Sequence, residues 1–277
     1  MTVQKPMTKR TPETEDIGRF IRARRMAYTL ASSGEAIRRR RHVPYLTQTE
    51  VAERVGVSTV VISQIEQGRY PNLNFSILRR IATTLGFSRQ QEMYVLGLLE
   101  NRPSRQRELV HVPTWITESV ADTRHPVFVI SPAYDLLAWN NSATTMLGAY
   151  ATDFYAAANP VKSVFHDPAM KTFFIDWDEY ARSIVSGLRM SYGVHPDFRE
   201  YIEATARELA GKDTYFHELW YLDDPLTVPT IEKDLHHSQL GPIRMIQVVT
   251  VVVEAPHLTM VEFLPADEET RTKLATL

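Results

Sequence analysis

Four β-branched residues in succession, Thr59, Val60, Val61 and Ile62, belong by intrinsic preference to a strand. Their neighbours overrule that preference. Strand alternation would put Val60, Ile62 and Gln64 on one face and mix core with surface, whereas 3.6 residues per turn gathers Ser58, Ile62, Ile65 and Glu66 on one side and Val60, Ser63, Gln64 and Gln67 on the other. Ser58 supplies an N-cap and Gly68 a C-terminal stop. One element earlier, in TQTEVAERVG, Thr47 and Glu50 stand at capping-box spacing, Val51, Ala52 and Val55 form an apolar stripe, and Gly56 makes a tight turn. Two short helices joined through GVS therefore bury Val51, Val55, Val57, Ile62 and Ile65 together and leave the polar face of the second helix pointing outward, as a major-groove reader requires.

The surroundings fit a two-domain protein. With 277 residues, 44% of them hydrophobic, the chain has material for two cores. Residues 1–15 are polar and aperiodic and predict a disordered tail. Five helical patterns lie between Ile17 and Leu99, so that 16–101 forms one domain. Residues 102–112 predict a linker broken by prolines at its two ends, Pro103 and Pro113. Residues 113–277 then change grammar. PVFVIS and LLAWN predict two strands around a turn at PAYD, and Asn141 a cap for a helix through Leu147. Helices follow near 161–174, 177–192, 197–209 and 215–221, and then strands in TIEKDLHH, PIRMIQVVTVVVEA and LTMVEFLP. The expected fold is a mainly α N-terminal domain and an α+β C-terminal domain, whose small antiparallel sheet has helices inserted between its second and third strands.

Residues 1–110 carry 19 Lys+Arg against 10 Asp+Glu, a balance of +9, and the remainder carries −11. A basic half joined to an acidic one points to a polyanionic partner for the first, although ordinary charge drift between two domains gives the same numbers. The absence of cysteine excludes disulfides, thiolate metal sites and a cysteine nucleophile. No apolar run approaches the roughly 18 residues of a membrane span, and a cytoplasmic location is expected.

LTQTEVAERVGVSTVVISQIEQGRYPN, followed by ILRRIATTLG, resembles the XRE type of phage-repressor-like helix-turn-helix. That resemblance implies base-edge contacts from Thr59, Val60, Ser63 and Gln64, phosphate contacts from Gln48 and Arg69, and a structural ion pair between Arg25 and Glu66. It implies double-stranded DNA with a two-fold-related operator as partner, bound by a homodimer. Arg38, Arg39, Arg40 and Arg41 interrupt the usual spacing before the second helix, either as a backbone clamp or as a solvated loop.

Beyond the linker, VFVISPAYDLLAWNNSATTML, NPVKSVFHDPAMKTFFIDWDEYARSIVSGLR and HHSQLGPIRM are similar to XRE regulators with an MmyB-like, PAS-like ligand-binding domain. The sequence departs from that pattern at Ser238 and Pro242, which predicts an altered turn. The resemblance implies a small apolar, fatty-acid-like ligand between sheet and inserted helices and no resident cofactor. Trp139, Tyr180, Ile184, Leu188, Tyr192 and Tyr201 are the expected lining, and an aromatic stripe of this kind also reads as plain core. VVTVVVE is apolar on both faces and asks for cover on both.

Enzyme readings find little support: FHELWYL lacks the second histidine of a zinc-protease helix, and no phosphate-binding glycine loop is present. Adjacent His236 and His237 would point to opposite faces of a strand, which is poor metal geometry. The expected function is a ligand-responsive DNA-binding transcription regulator. Two alternatives stand beside it: a DNA-binding protein whose second domain only dimerises or binds a protein partner, and an enzyme with a DNA-binding appendage.

Overall fold

Thr11 starts the first helix earlier than the composition of the tail suggested. The computed structural model describes residues 11–28, 45–99, 110–221 and 231–276, and in it α1 spans Pro12–Ala27. The Thr11 side chain accepts from the Thr14 N–H while Thr14 Oγ1 accepts from the Thr11 N–H at 2.9 Å, and Pro12 at the first helical position loses nothing by lacking an N–H. Residues 11–15 are thus helical or capping rather than disordered. The rest of the expected tail, the tetra-arginine run and residues 102–109 of the linker lie outside the described residues.

The chain divides into two compact units, residues 1–103 with 221–226, and residues 104–220 with 227–277. The first contains α1, α2 (Gln48–Val55), α3 (Thr59–Glu66), α4 (Phe75–Thr84) and α5 (Arg89–Leu99). Its core is Ile17, Phe20, Ile21, Val51, Val55, Ile62, Ile65, Leu78, Ile81 and Val95, all essentially without solvent contact. The approach of α1 to α3 depends on Gly18, because a Cβ there would stand 2.8 Å from the Glu66 carbonyl oxygen.

The second unit holds a five-stranded antiparallel sheet in the order β2-β1-β5-β4-β3, with strands Val127–Ile130, Leu136–Trp139, Glu232–His237, Gly241–Val251 and Thr259–Pro265 numbered in chain order. Between β2 and β3 come α7 (Asn141–Leu147), α8 (Ala151–Ala157), α9 (Pro160–His166), α10 (Met170–Phe173), α11 (Trp177–Val194), α12 (Arg199–Ala210) and α13 (Thr214–Tyr221). α6 (Thr114–Asp122) precedes the sheet and α14 (Glu268–Leu274) follows it. This is the expected α+β plan, with differences in detail. The cap of α7 is Asn140, not Asn141. The single helix expected over 161–174 is two, since Pro168 cannot continue the backbone ladder after α9. Val110 and Val112, expected in the linker, pack on the cluster of Ile116, Val120, Val127, Val129 and Leu258 that covers one face of the sheet.

Candidate DNA-reading surface and sensor interior

The outward face of α3 is built by burial of its inward one. Ile62 and Ile65 are fully enclosed, and Ser58 caps the helix by accepting the Val61 N–H at 3.4 Å. Thr59, Val60 and Gln64 are exposed, Val60 by 63%, and Arg69 is exposed just past the helix. Ser63 is half-buried, and its hydroxyl accepts from Gln67 Nε2 at 3.1 Å. Gly68, at φ +64°, turns the chain away from the helix end.

Beneath that face Arg25 and Glu66 meet in two hydrogen bonds of 2.6 and 3.0 Å, with Arg25 Nη1 also donating to the Leu46 carbonyl at 2.9 Å. Both side chains are more than nine-tenths buried. Gln48 Nε2 donates to the same carboxylate at 2.8 Å. Gln48, expected on a phosphate, is therefore anchored inward at the start of α2, a link that its sequence position did not reveal.

In the second unit α11 aligns Tyr180, Ile184, Leu188 and Tyr192 on one buried face. Tyr180 stacks on Phe174 with centroids 3.6 Å apart. Tyr201 of α12 is half-buried, its hydroxyl donating to Asp135 at 3.0 Å. Trp139 does not line the interior. It sits on the edge strand β2, 42% exposed, with its ring stacked on Tyr155 at 4.4 Å. An edge strand has neighbours on one side only, so its last residue reaches the rim.

Two residues of this unit, Tyr134 and Lys233, carry no signal of their own in the sequence. Tyr134, in the PAYD turn, has φ +65°, unusual for a side chain of that size. Its hydroxyl lies against Gly187 of α11, where any Cβ would overlap it. Tyr134 keeps some accessible surface, yet desolvation pushes its phenol up to about 12, and the hydroxyl makes no hydrogen bond among the described residues. Desolvation also raises the Tyr180 phenol, and the nearby Tyr134 adds to it. Lys233 is 95% buried, with its ammonium 5.7 Å from the Tyr180 ring centroid. Burial lowers its pKa, while Glu179 and Asp176 oppose the shift. A cleft of about 90 Å³ lined by Phe174, Asp176, Glu179, Tyr180, Glu232, Lys233 and Asp234 opens beside it. The only local signal for the Tyr134 contact is a glycine set between Ser183 and Ser191 at helical spacing on α11.

His237 is buried, and its Nδ1 accepts the N–H groups of Gln239 and Leu240 at 3.2 Å, which leaves Nε2 to donate to the Thr145 carbonyl at 2.9 Å. It fastens the β3–β4 turn to α7. Among the described residues no group of three or more His, Asp or Glu could hold a metal ion, and no helix is long and apolar enough to cross a membrane.

Residues 33–93 are matched by the family model of a helix-turn-helix domain. Residues 120–277 are matched by that of the MmyB-like transcription regulator ligand binding domain. No curated protein matches the sequence. With more than half of its length covered by the second match, and a helix-turn-helix ahead of it, the chain belongs to the MmyB-like transcription regulators with this ligand-binding domain.

Proposed function

We propose that this regulator binds a two-fold-related operator as a homodimer in the cytoplasm, and that a fatty-acid-like molecule held between sheet and helices adjusts that binding. The observation that carries the DNA half is the contrast on α3, where Ile62 and Ile65 are enclosed while Thr59, Val60 and Gln64 are exposed. Gln64 can give a bidentate pair to adenine, Val60 can pack on a thymine methyl, and Thr59 and Ser63 reach neighbouring base edges. Arg69 and the backbone N–H groups in the first turn of α2, which the Gln48–Glu66 bond holds in place, meet phosphates. Gln64→Ala is expected to weaken the preferred site by about 1–3 kcal/mol and relax one base position, whereas Arg69→Ala weakens all sequences alike. Binding-site selection reads both effects, and an unchanged consensus for Gln64→Ala would refute the assignment.

The sensor half is supported by the buried aromatic face of α11 and by the phenol of Tyr134, which is half-buried against Gly187 of that helix and makes no hydrogen bond among the described residues. A carboxylate head can accept from that hydroxyl while its chain runs along Ile184 and Leu188. Tyr134→Phe is then expected to weaken binding of a long-chain fatty acid by about 0.5–1.5 kcal/mol, the net contribution of one hydrogen bond, with the melting temperature unchanged. Calorimetric titration of wild type and variant checks it. If wild type takes up no lipid and DNA affinity ignores it, the domain serves dimerisation or a protein partner instead.

A further inference from the structure

Four of the large apolar side chains exposed among the described residues lie together on one stretch of sheet edge: Ile231 at 64%, Val249 at 61%, Val251 at 58% and Val253 at 84%. β3 accompanies β4 only as far as the Glu232–Ile246 pair, and the last bond across that boundary runs from the Gln247 N–H to the Ile231 carbonyl at 2.6 Å. Peptide groups turn to alternate sides along a strand. The N–H and C=O of Val249 and Val251 therefore face the same side as those of Gln247, where no described strand lies beyond the end of β3. On its other flank β4 stays paired with β5 through Val251. Edges are ordinarily blunted with lysine, proline or inward charge, and Met245–Val253 contains none of these.

We propose that this edge is where a second copy of the chain docks, antiparallel, about a two-fold axis at Thr250. The proposal rests on the dimer of the reading above. The edge admits a like copy: Met245–Val253 carries no charged side chain, so the same strand of a second chain can pair along it without setting like charges opposite one another. The strand is also self-complementary. Antiparallel pairing sets Val249 opposite Val251 of the second copy, and Val251 opposite its Val249, in hydrogen-bonded pairs. The end of β3 at Ile231 stops the incoming strand near its Val252 and so fixes the register, bringing Val253 of one copy beside Ile231 of the other. All four exposed apolar side chains are then used by one isologous contact.

In that register the two Thr250 residues form a non-hydrogen-bonded pair with Cα atoms about 4.5 Å apart, within the roughly 4.4–6.8 Å that a disulfide spans. The chain has no cysteine, so Thr250→Cys introduces a single thiol. Under mild oxidation it is expected to give a covalent species at twice the 31.7 kDa chain mass, while Thr117→Cys, at another exposed position on α6, does not. Val251→Lys is expected to keep its far-UV spectrum, to fall to the 31.7 kDa mass in light scattering and to lose about 100-fold in operator affinity as the linked half-sites are separated. A wild-type protein of monomer mass at the same concentration would overturn the dimer itself. A wild-type dimer in which Thr250→Cys cross-links no faster than Thr117→Cys would overturn only the edge, including the case in which another segment of the chain covers it.

Discussion

Glu66→Ala is expected to cost the DNA-binding unit about 3–5 kcal/mol, enough to remove most of the stability of a small helical domain. The carboxylate is the acceptor for Arg25 Nε at 2.6 Å, Arg25 Nη2 at 3.0 Å and Gln48 Nε2 at 2.8 Å. Its removal leaves a guanidinium more than nine-tenths buried without its counter-charge. The paired replacement Arg25→Met with Glu66→Leu is expected to recover most of the loss, because an apolar pair of similar volume avoids the desolvation of both ions. Urea unfolding followed by circular dichroism measures both variants. A single substitution within about 0.5 kcal/mol of wild type would show that the pair is solvated and incidental.

Asn140→Ala should be almost as damaging to the sensor unit, at roughly 3–5 kcal/mol, because one buried side chain serves four backbone groups worth about 1 kcal/mol or more each. Its Oδ1 accepts the Ala143 N–H at 2.9 Å, capping α7, and the Val127 N–H at 3.1 Å, at the start of β1. Its Nδ2 donates to the carbonyls of Thr123 at 2.9 Å and His125 at 2.7 Å. Asn140→Asp keeps the acceptor half and puts carboxylate charge beside two carbonyl oxygens, so it should fall between wild type and alanine. Thermal melting of the three proteins orders them, and an alanine variant that melts with wild type would mean that water replaces the amide.

The difference between these two residues shows what a sequence discloses. Glu66 was legible because the period of α3 turns it inward, and the family resemblance then named Arg25 as its partner. Asn140 was read as the end of a strand and its neighbour as the cap, since only tertiary structure shows the four backbone groups converging on one amide. The five N-terminal helices announce themselves by local grammar, with Thr47–Glu50 as capping box and Gly56 at φ +73° as the turn glycine. Tyr134 could not be found that way: its position depends on a backbone angle that Tyr seldom adopts and on a glycine 53 residues later in the chain. Trp139 was misplaced because four-residue strands leave alternation too short to say which end reaches the rim, and the register shifts between Val129 and Ile130.

The strand order has a consequence for synthesis. β1, near the start of the sensor unit, is bonded on one side to β2 and on the other to β5, which begins 129 residues after Ile130 at Thr259. At ribosomal rates of about 5–20 residues per second, some 6–26 s separate the emergence of the two strands. The five N-terminal helices, with their short-range contacts, can fold within that interval. A nascent chain can therefore carry a finished DNA-reading surface before it has a sensor. A chain ended before Thr259 keeps the helix-turn-helix but strips β1 and β4 of the strand between them. It is expected to hold DNA weakly, respond to nothing, and expose two unpaired strands to whatever chaperone or protease meets them first.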